Sequence, residues 1–166
     1  MLIHTSRYIA WQRQIAIVVQ NVFDFYRRGI EMNIPSVIEE MRQAFEVDTV
    51  TYKSYITTSQ AILDSRLSDI DPHVQIHTWT DVLPHLNSAA ARIHVREING
   101  GSADVLNYYD HRNGLSVIAI GGDKLSRGLT LEGLSVSYYL RASRMYDTLM
   151  QMGRWFGYRP GYVDLC

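Results

Sequence analysis

Leu115-Ser116-Val117-Ile118-Ala119-Ile120-Gly121-Gly122 decides the fold class. Apart from Ser116 the run is apolar and rich in β-branched residues, without the polar alternation of a strand that wets one face. It predicts a parallel strand buried on both sides, ended abruptly by the Gly-Gly pair in a tight loop. Outward from it, Leu134 to Leu140 is a second strand candidate, followed by a helix over 143–155. Upstream, Arg92 to Ile98 alternates through Ile93 and Val95, and Asn99-Gly100-Gly101-Ser102 stops it with turn residues. Met1 to His4 is a further short apolar stretch, itself a strand start. Strands separated by helical segments call for an α/β parallel sheet with right-handed crossovers.

The N-terminal half is helical in period. Tyr8, Trp11, Ile15, Val18, Val22 and Phe25 recur at steps of three and four, with Gly29 placed to cap the helix at its C-terminus. A second helix is expected from Asn33, with Pro35 in its first turn and Ile34, Ile38, Met41 and Phe45 as its apolar stripe. Both stripes read as core-facing. Residues 46–78 mix Thr, Tyr and Ser with short apolar stretches, and neither period dominates. Thr80 is placed to cap a helix through Val82 and Leu86 toward Ala91, despite Pro84.

Composition bounds the class. The chain has 166 residues, 46% hydrophobic, with a formal charge of -1, which excludes a disordered or collagen-like chain. Cys166 is the one cysteine, so there is no disulfide framework, and a reducing compartment is expected. No apolar stretch reaches the ~18 residues of a membrane span, so the expectation is a soluble, cytoplasmic protein without membrane contact. The basic residues are 14 Arg and only two Lys, Lys53 and Lys124. Arg carries a planar fork suited to phosphate and carboxylate, although a GC-rich genome explains the bias equally well. The near-neutral total confines any basic patch to one locality.

Two segments carry chemistry. Gly121-Gly122-Asp123-Lys124-Leu125-Ser126-Arg127-Gly128-Leu129-Thr130 follows the deciding strand. A glycine-bearing loop at the carboxyl end of a parallel strand is where open α/β sheets place ligands. It is neither a Walker A loop nor a dinucleotide fingerprint. The second segment is Met150-Gln151-Met152-Gly153-Arg154-Trp155-Phe156-Gly157-Tyr158-Arg159. Met145, Leu149, Met152 and Phe156 share one helix face as core, while Asp147, Gln151, Arg154 and Tyr158 share another. Two guanidiniums within about 10 Å at a helix end suit a polyphosphate.

Together these segments resemble motifs V and VI of superfamily-two helicases. More specifically, Gly121 to Leu134, Tyr138-Tyr139-Leu140-Arg141 and Tyr146 to Arg159 resemble the Z-one domain, as do the strand ends Met1 to Ser6 and Glu97-Ile98-Asn99-Gly100. That family is described as an endonuclease domain of bacterial and phage-defence proteins with a helicase-like architecture. The resemblance is dense after Gly114 and thin between residues 46 and 90. It implies a RecA-like parallel sheet flanked by helices, the second lobe of a helicase-like hydrolase, over 1–166, with a helix-rich or irregular insertion over 30–91.

The resemblance also implies residue roles. Arg154 is the arginine finger reaching an ATP γ-phosphate held on a first RecA-like lobe, with Arg159 a second candidate and Gln151 orienting phosphate or water. Gly121, Gly122, Asp123, Lys124, Arg127 and Gly128 form the loop between the nucleotide and nucleic-acid sites, and Arg141 and Arg144 meet the DNA backbone. ATP with Mg²⁺ is the implied cofactor, bound mainly by the first lobe. The implied partners are DNA, that lobe, an accessory ATPase of the Hsp90-like type and a restriction-like endonuclease. Against the general helicase pattern, Gln151 stands two residues before Gly153 instead of three, and Arg159 five after Arg154 instead of three. Thr130 takes the place of an Asp, and Gly122 that of a Thr.

Because the chain has no Walker A Lys loop and no Walker B carboxylate strand, it is not expected to turn over ATP alone. It starts within a strand and ends in the apolar Tyr162-Val163-Asp164-Leu165-Cys166 run, and so reads as a fragment truncated at both ends. A restriction-type nuclease needs an Asp/Glu-x-Lys pair, which neither Lys53 nor Lys124 completes. His73 and His77 have helical spacing but no third ligand, and Asp110-His111-Arg112 reads as a solvated loop, so no metal site is assigned. A stand-alone DNA endonuclease with another site and a non-catalytic scaffold domain in a defence complex remain the alternative readings.

Overall fold

The computed structural model describes residues 1–5, 8–47, 54–69, 71–99, 114–122, 133–140, 150 and 159–165. The chain divides into two units, one of Met1–Asp24 with Arg92–Gly157 and one of Phe25–Ala91 with Tyr158–Cys166.

The first unit is built on a four-stranded, wholly parallel sheet of β1 (Leu2–His4), β2 (Ile93–Ile98), β3 (Ser116–Gly121) and β4 (Ser137–Tyr139), in the order β2-β3-β1-β4. The fold is therefore α/β. The deciding run forms β3, which pairs on both sides, Ile98↔Gly121 with β2 and Ile3↔Ile120 with β1. Leu2, Ile98, Ala119 and Ile120 are buried. Ala119 and Ile120, on opposite faces of β3, are both buried, so this half of the strand has no place for polar side chains, whereas Ser116 stands at its half-buried start. β4 is shorter than its apolar sequence suggests and pairs only as far as His4↔Tyr139.

α1 (Ile9–Glu31) begins in the same unit and runs for 23 residues, beyond the expected stop at Gly29. Gly29 lies inside the helix, and the left-handed residue that ends it is Asn33, with φ 51°. The amides of Asn33 and Ile34 return to the carbonyls of Ile30 and Gly29, a Schellman turn that satisfies the last orphan acceptors. The expected core stripe of α1 is also corrected: Trp11, Val18, Val22 and Phe25 are exposed, while Gln12 and Gly29 are buried.

The second unit holds α2 (Pro35–Glu46), α3 (Tyr55–Leu63), α4 (Trp79–Val82) and α5 (Leu86–Ala91). α2 starts at Pro35, two residues later than expected, because Asn33 is taken up by the preceding turn. Val37 on α2 is the buried contact and sits against Gly29. α3 emerges from the stretch without a clear period, capped by Ser54, whose Oγ accepts from the Thr57 amide at 3.2 Å. Phe45 stacks on Tyr55 with ring centroids 4.7 Å apart and meets Trp79 at 5.7 Å, joining α2, α3 and α4. The cap of α4 is Thr78, not Thr80: its side chain accepts from the Asp81 amide while Asp81 accepts from the Thr78 amide. The expected continuous helix from there to Ala91 is interrupted at Pro84 by a 3-10 turn over Leu83–His85.

Candidate functional site

The strand order defines where a ligand can sit in the first unit. The chain leaves β1 toward β2, past β3, whereas it leaves β3 toward β4, past β1. Neighbouring carboxyl ends therefore send the chain in opposite directions along the sheet. In open parallel sheets such a reversal of direction is where ligands are bound, outside the carboxyl ends of the strands, here those of β1 and β3.

Gly121 and Gly122 end β3 at this switch of direction, and both are buried. Thr5, the residue after β1, is also buried; its amide donates to the Gly121 carbonyl at 2.9 Å and its Oγ1 to the same oxygen at 3.4 Å. The strand ends are thus pinned together beside a position with no side chain. On the other flank, the Leu140 amide donates to the His4 carbonyl at 2.9 Å, and the buried His4 ring tilts against Tyr139 with centroids 5.2 Å apart. Burial lowers the His4 pKa, so the imidazole is neutral at neutral pH. Beyond β2, Asn99 Nδ2 donates to Glu97 Oε1 at 2.6 Å. The described edge therefore supplies a hydroxyl, a neutral imidazole, a phenol ring, the Glu97 carboxylate and a glycine-bared backbone. Fixed positive charge for an anion has to come from the loops beyond it.

Of the residues expected to form the site, only Gly121 and Gly122 are brought together here. Asp123, Lys124, Arg127, Gly128, Arg141, Arg144, Gln151 and Arg154 lie outside the described residues, as do Thr130 and the expected helix over 143–155 except Met150, which is helical. Arg159 belongs to the second unit. There it opens a turn whose Tyr162 amide donates to its carbonyl at 3.1 Å.

Two residues after Arg159, the fully buried Asp71 carboxylate accepts from the Gly161 amide through both oxygens, at 2.9 and 2.8 Å. It also accepts from the His73 amide at 3.2 Å, and the Val163 amide is a further donor to it. Burial pushes the Asp71 pKa up, but these three amides outweigh it and the carboxyl stays below its ordinary range. Nearby, the buried Ser59 donates its hydroxyl to Asp164 at 2.6 Å. Gly161 takes φ 76°, a left-handed conformation suited to glycine.

His4, Thr5 and Asp71 are not among the expected site residues. For Asp71 the usable signal is Asp71-Pro72-His73, an Asx turn by composition. For His4 and Thr5 it is their place at the end of a strand that the sheet puts next to β3. Among the described residues, no group of three His, Cys, Asp or Glu is placed to hold a metal ion, and no helix is long and apolar enough to cross a membrane.

The family model of the Z1 domain matches residues 1–166. No curated protein and no solved structure matches the chain.

Proposed function

The chain belongs to the Z1 domain family, and from that premise we propose that it acts as a helicase-like lobe on DNA, contributing an arginine to an ATP site completed by a partner lobe. The observation that carries this reading is the reversal of strand order at the carboxyl ends of β1 and β3, where buried Gly121 and Gly122 end a strand pinned to Thr5. In parallel α/β sheets, this is where phosphate-bearing ligands lie, and a strand end bare of side chains lets backbone amides approach them.

In this reading the loop from Asp123 through Arg127 to Gly128 links the nucleotide to the nucleic-acid backbone. Arg154 offers its guanidinium to the terminal phosphate, with Gln151 assisting. Arg141 and Arg144 add phosphate contacts with DNA, which position the strand without reading its sequence. ATP with Mg²⁺ fits this edge only in part: apart from the Glu97 carboxylate the described groups are uncharged, and in this reading the carboxylate and lysine that hold the metal and phosphates belong to the partner lobe. When bound, the nucleotide supplies the free energy of phosphoanhydride hydrolysis, which this lobe couples to movement on DNA. The endonuclease description of the Z-one family is assigned to a site elsewhere in the assembly.

The test is ATP turnover by the lobe pair with Arg154→Ala. An arginine finger contributes about 10³-fold or more to kcat, so the variant should lose at least that while the KM for ATP changes little. Unchanged turnover would remove the finger assignment. DNA affinity should fall steeply with salt, since phosphate contacts release counterions. Metal-dependent plasmid cleavage by this chain alone would replace the motor reading with the endonuclease one.

A further inference from the structure

α1 has two apolar faces, and the fold covers one. Gln12 is buried, and Ala16, Val19, Phe23 and Ile30 are half-buried along one line of the helix. About a third of the circumference away, Trp11, Val18, Val22 and Phe25 are 63, 60, 53 and 61% exposed. Together with Tyr8 and Ile15 they follow an unbroken three-four spacing, the 3.5-residue period of a helix-pairing seam. The next seam position is Gly29, and Val37 of α2 already occupies it.

We propose that this seam pairs with the same seam of a second copy of the chain, as an antiparallel two-fold helix pair. The first argument is charge. No Asp, Glu, Lys or Arg lies among the seam positions from Trp11 to Phe25, and the exposed Gln14 and Asn21 beside them are neutral, so the central layers carry no like charge; the exposed Arg28 flanks only the end of the seam, past Phe25. Arg13, Arg27 and Arg28 of α1 lie off the seam positions, so the seam itself carries no basic residue to grip anionic lipid or nucleic-acid phosphate.

The second argument is area. The exposed parts of these side chains offer roughly 600 Å² of apolar surface per copy, given the 150–250 Å² of an aromatic side chain. That is at the upper limit for a patch on a monomer, and with the Gln14 and Asn21 rim it approaches the ~800 Å² per partner of a stable pair.

The third argument is size. With the two-fold axis between Ile15 and Val18, Trp11 faces Val22 of the second copy, Tyr8 faces Phe25 and Ile15 faces Val18. The bulky indole then lies over a valine. A parallel pair would set indole on indole and leave the valine layers thin.

The test is the mass of the chain in solution by light scattering and sedimentation. The 19.1 kDa chain should run at twice that mass. Val18→Glu and Val18→Lys should each weaken pairing by about 100-fold or more, since each buries a charge in the seam, with circular dichroism unchanged because Val18 meets water. Mixing the two variants should restore a dimer. With Cys166→Ser in both, Gln14→Cys and Asn21→Cys chains should cross-link to each other under oxidation. A monomer at all concentrations, a dimer indifferent to Val18→Glu, or charge variants that fail to recombine would each overturn the pairing. A dimer without the 14–21 cross-link would overturn its antiparallel register.

Discussion

Gly29→Ala pits local propensity against packing. Gly29 lies inside α1, where alanine is worth about 1 kcal/mol more than glycine, so propensity alone predicts that the substitution stabilises the chain. A methyl group built at Gly29, however, would stand 2.7 Å from both Cγ1 and Cγ2 of Val37 and 2.9 Å from its Cβ. Because the Cβ is among the close atoms, turning the valine about χ1 cannot clear the contact. Val37 is itself 2% exposed and has no room to withdraw. Overpacking of this kind costs about 1–3 kcal/mol, which exceeds the propensity gain.

The expectation is a net destabilisation of about 1 kcal/mol, read from urea unfolding followed by circular dichroism. Val37→Ala alone should cost about 2 kcal/mol through two lost methyl groups and the space they leave. In the double variant the methyl group added by Gly29→Ala enters that space, so the combined loss should fall short of additivity by about 1 kcal/mol or more. A Gly29→Ala protein more stable than the parent, or a strictly additive double variant, would refute the contact.

Two further expectations concern acid. Burial lowers the folded pKa of His4, so at pH well above 6.5 the residue is neutral in both states and contributes no slope. As pH falls below that value the unfolded chain takes up the proton first, and stability drops until the folded His4 also titrates. His4→Gln should flatten this part of the stability-pH curve, and an unchanged slope would mean that another group causes it. Asp71 has the opposite chemistry: its carboxylate is held below the ordinary range, so its contribution is present above about pH 3.8 and is lost as pH falls further. Asp71→Asn should remove that acid dependence and, in hydrogen exchange, speed the Gly161 and Val163 amides at least about tenfold relative to the Phe45 region.

Residues with strictly local causes were legible in the sequence. β3 announces itself because a strand covered on both faces is apolar without alternation, as Val117 to Ile120 is, and Gly121-Gly122 marks its end without reference to anything distant. Gly29 shows the limit of such reasoning. Near a helix end a glycine reads as a cap, yet here it is kept by the side chain of Val37, while Asn33 supplies the left-handed turn. The periodic stripe of α1 is apolar as expected but not covered, since a period specifies a face and not what meets it. Thr5 and Asp71 depend on partners 116 and 90 residues away, a separation at which no local pattern operates.

The central place of β1 has a consequence for synthesis. The strand at Leu2–His4 lies between β3 and β4 and takes its hydrogen-bonded neighbours only from the later part of the chain. At about 5–20 residues per second, a ribosome needs roughly 6–20 s to go from His4 to Ser116. Throughout that interval Leu2 and Ile3 have no sheet to enter, while α1 can form from neighbouring residues alone. Closure of such distant pairs is slow, and a nascent chain with an unpaired apolar strand is a substrate for holding chaperones. Truncation anywhere before β3 would leave that strand permanently exposed, and the expected product is an aggregate.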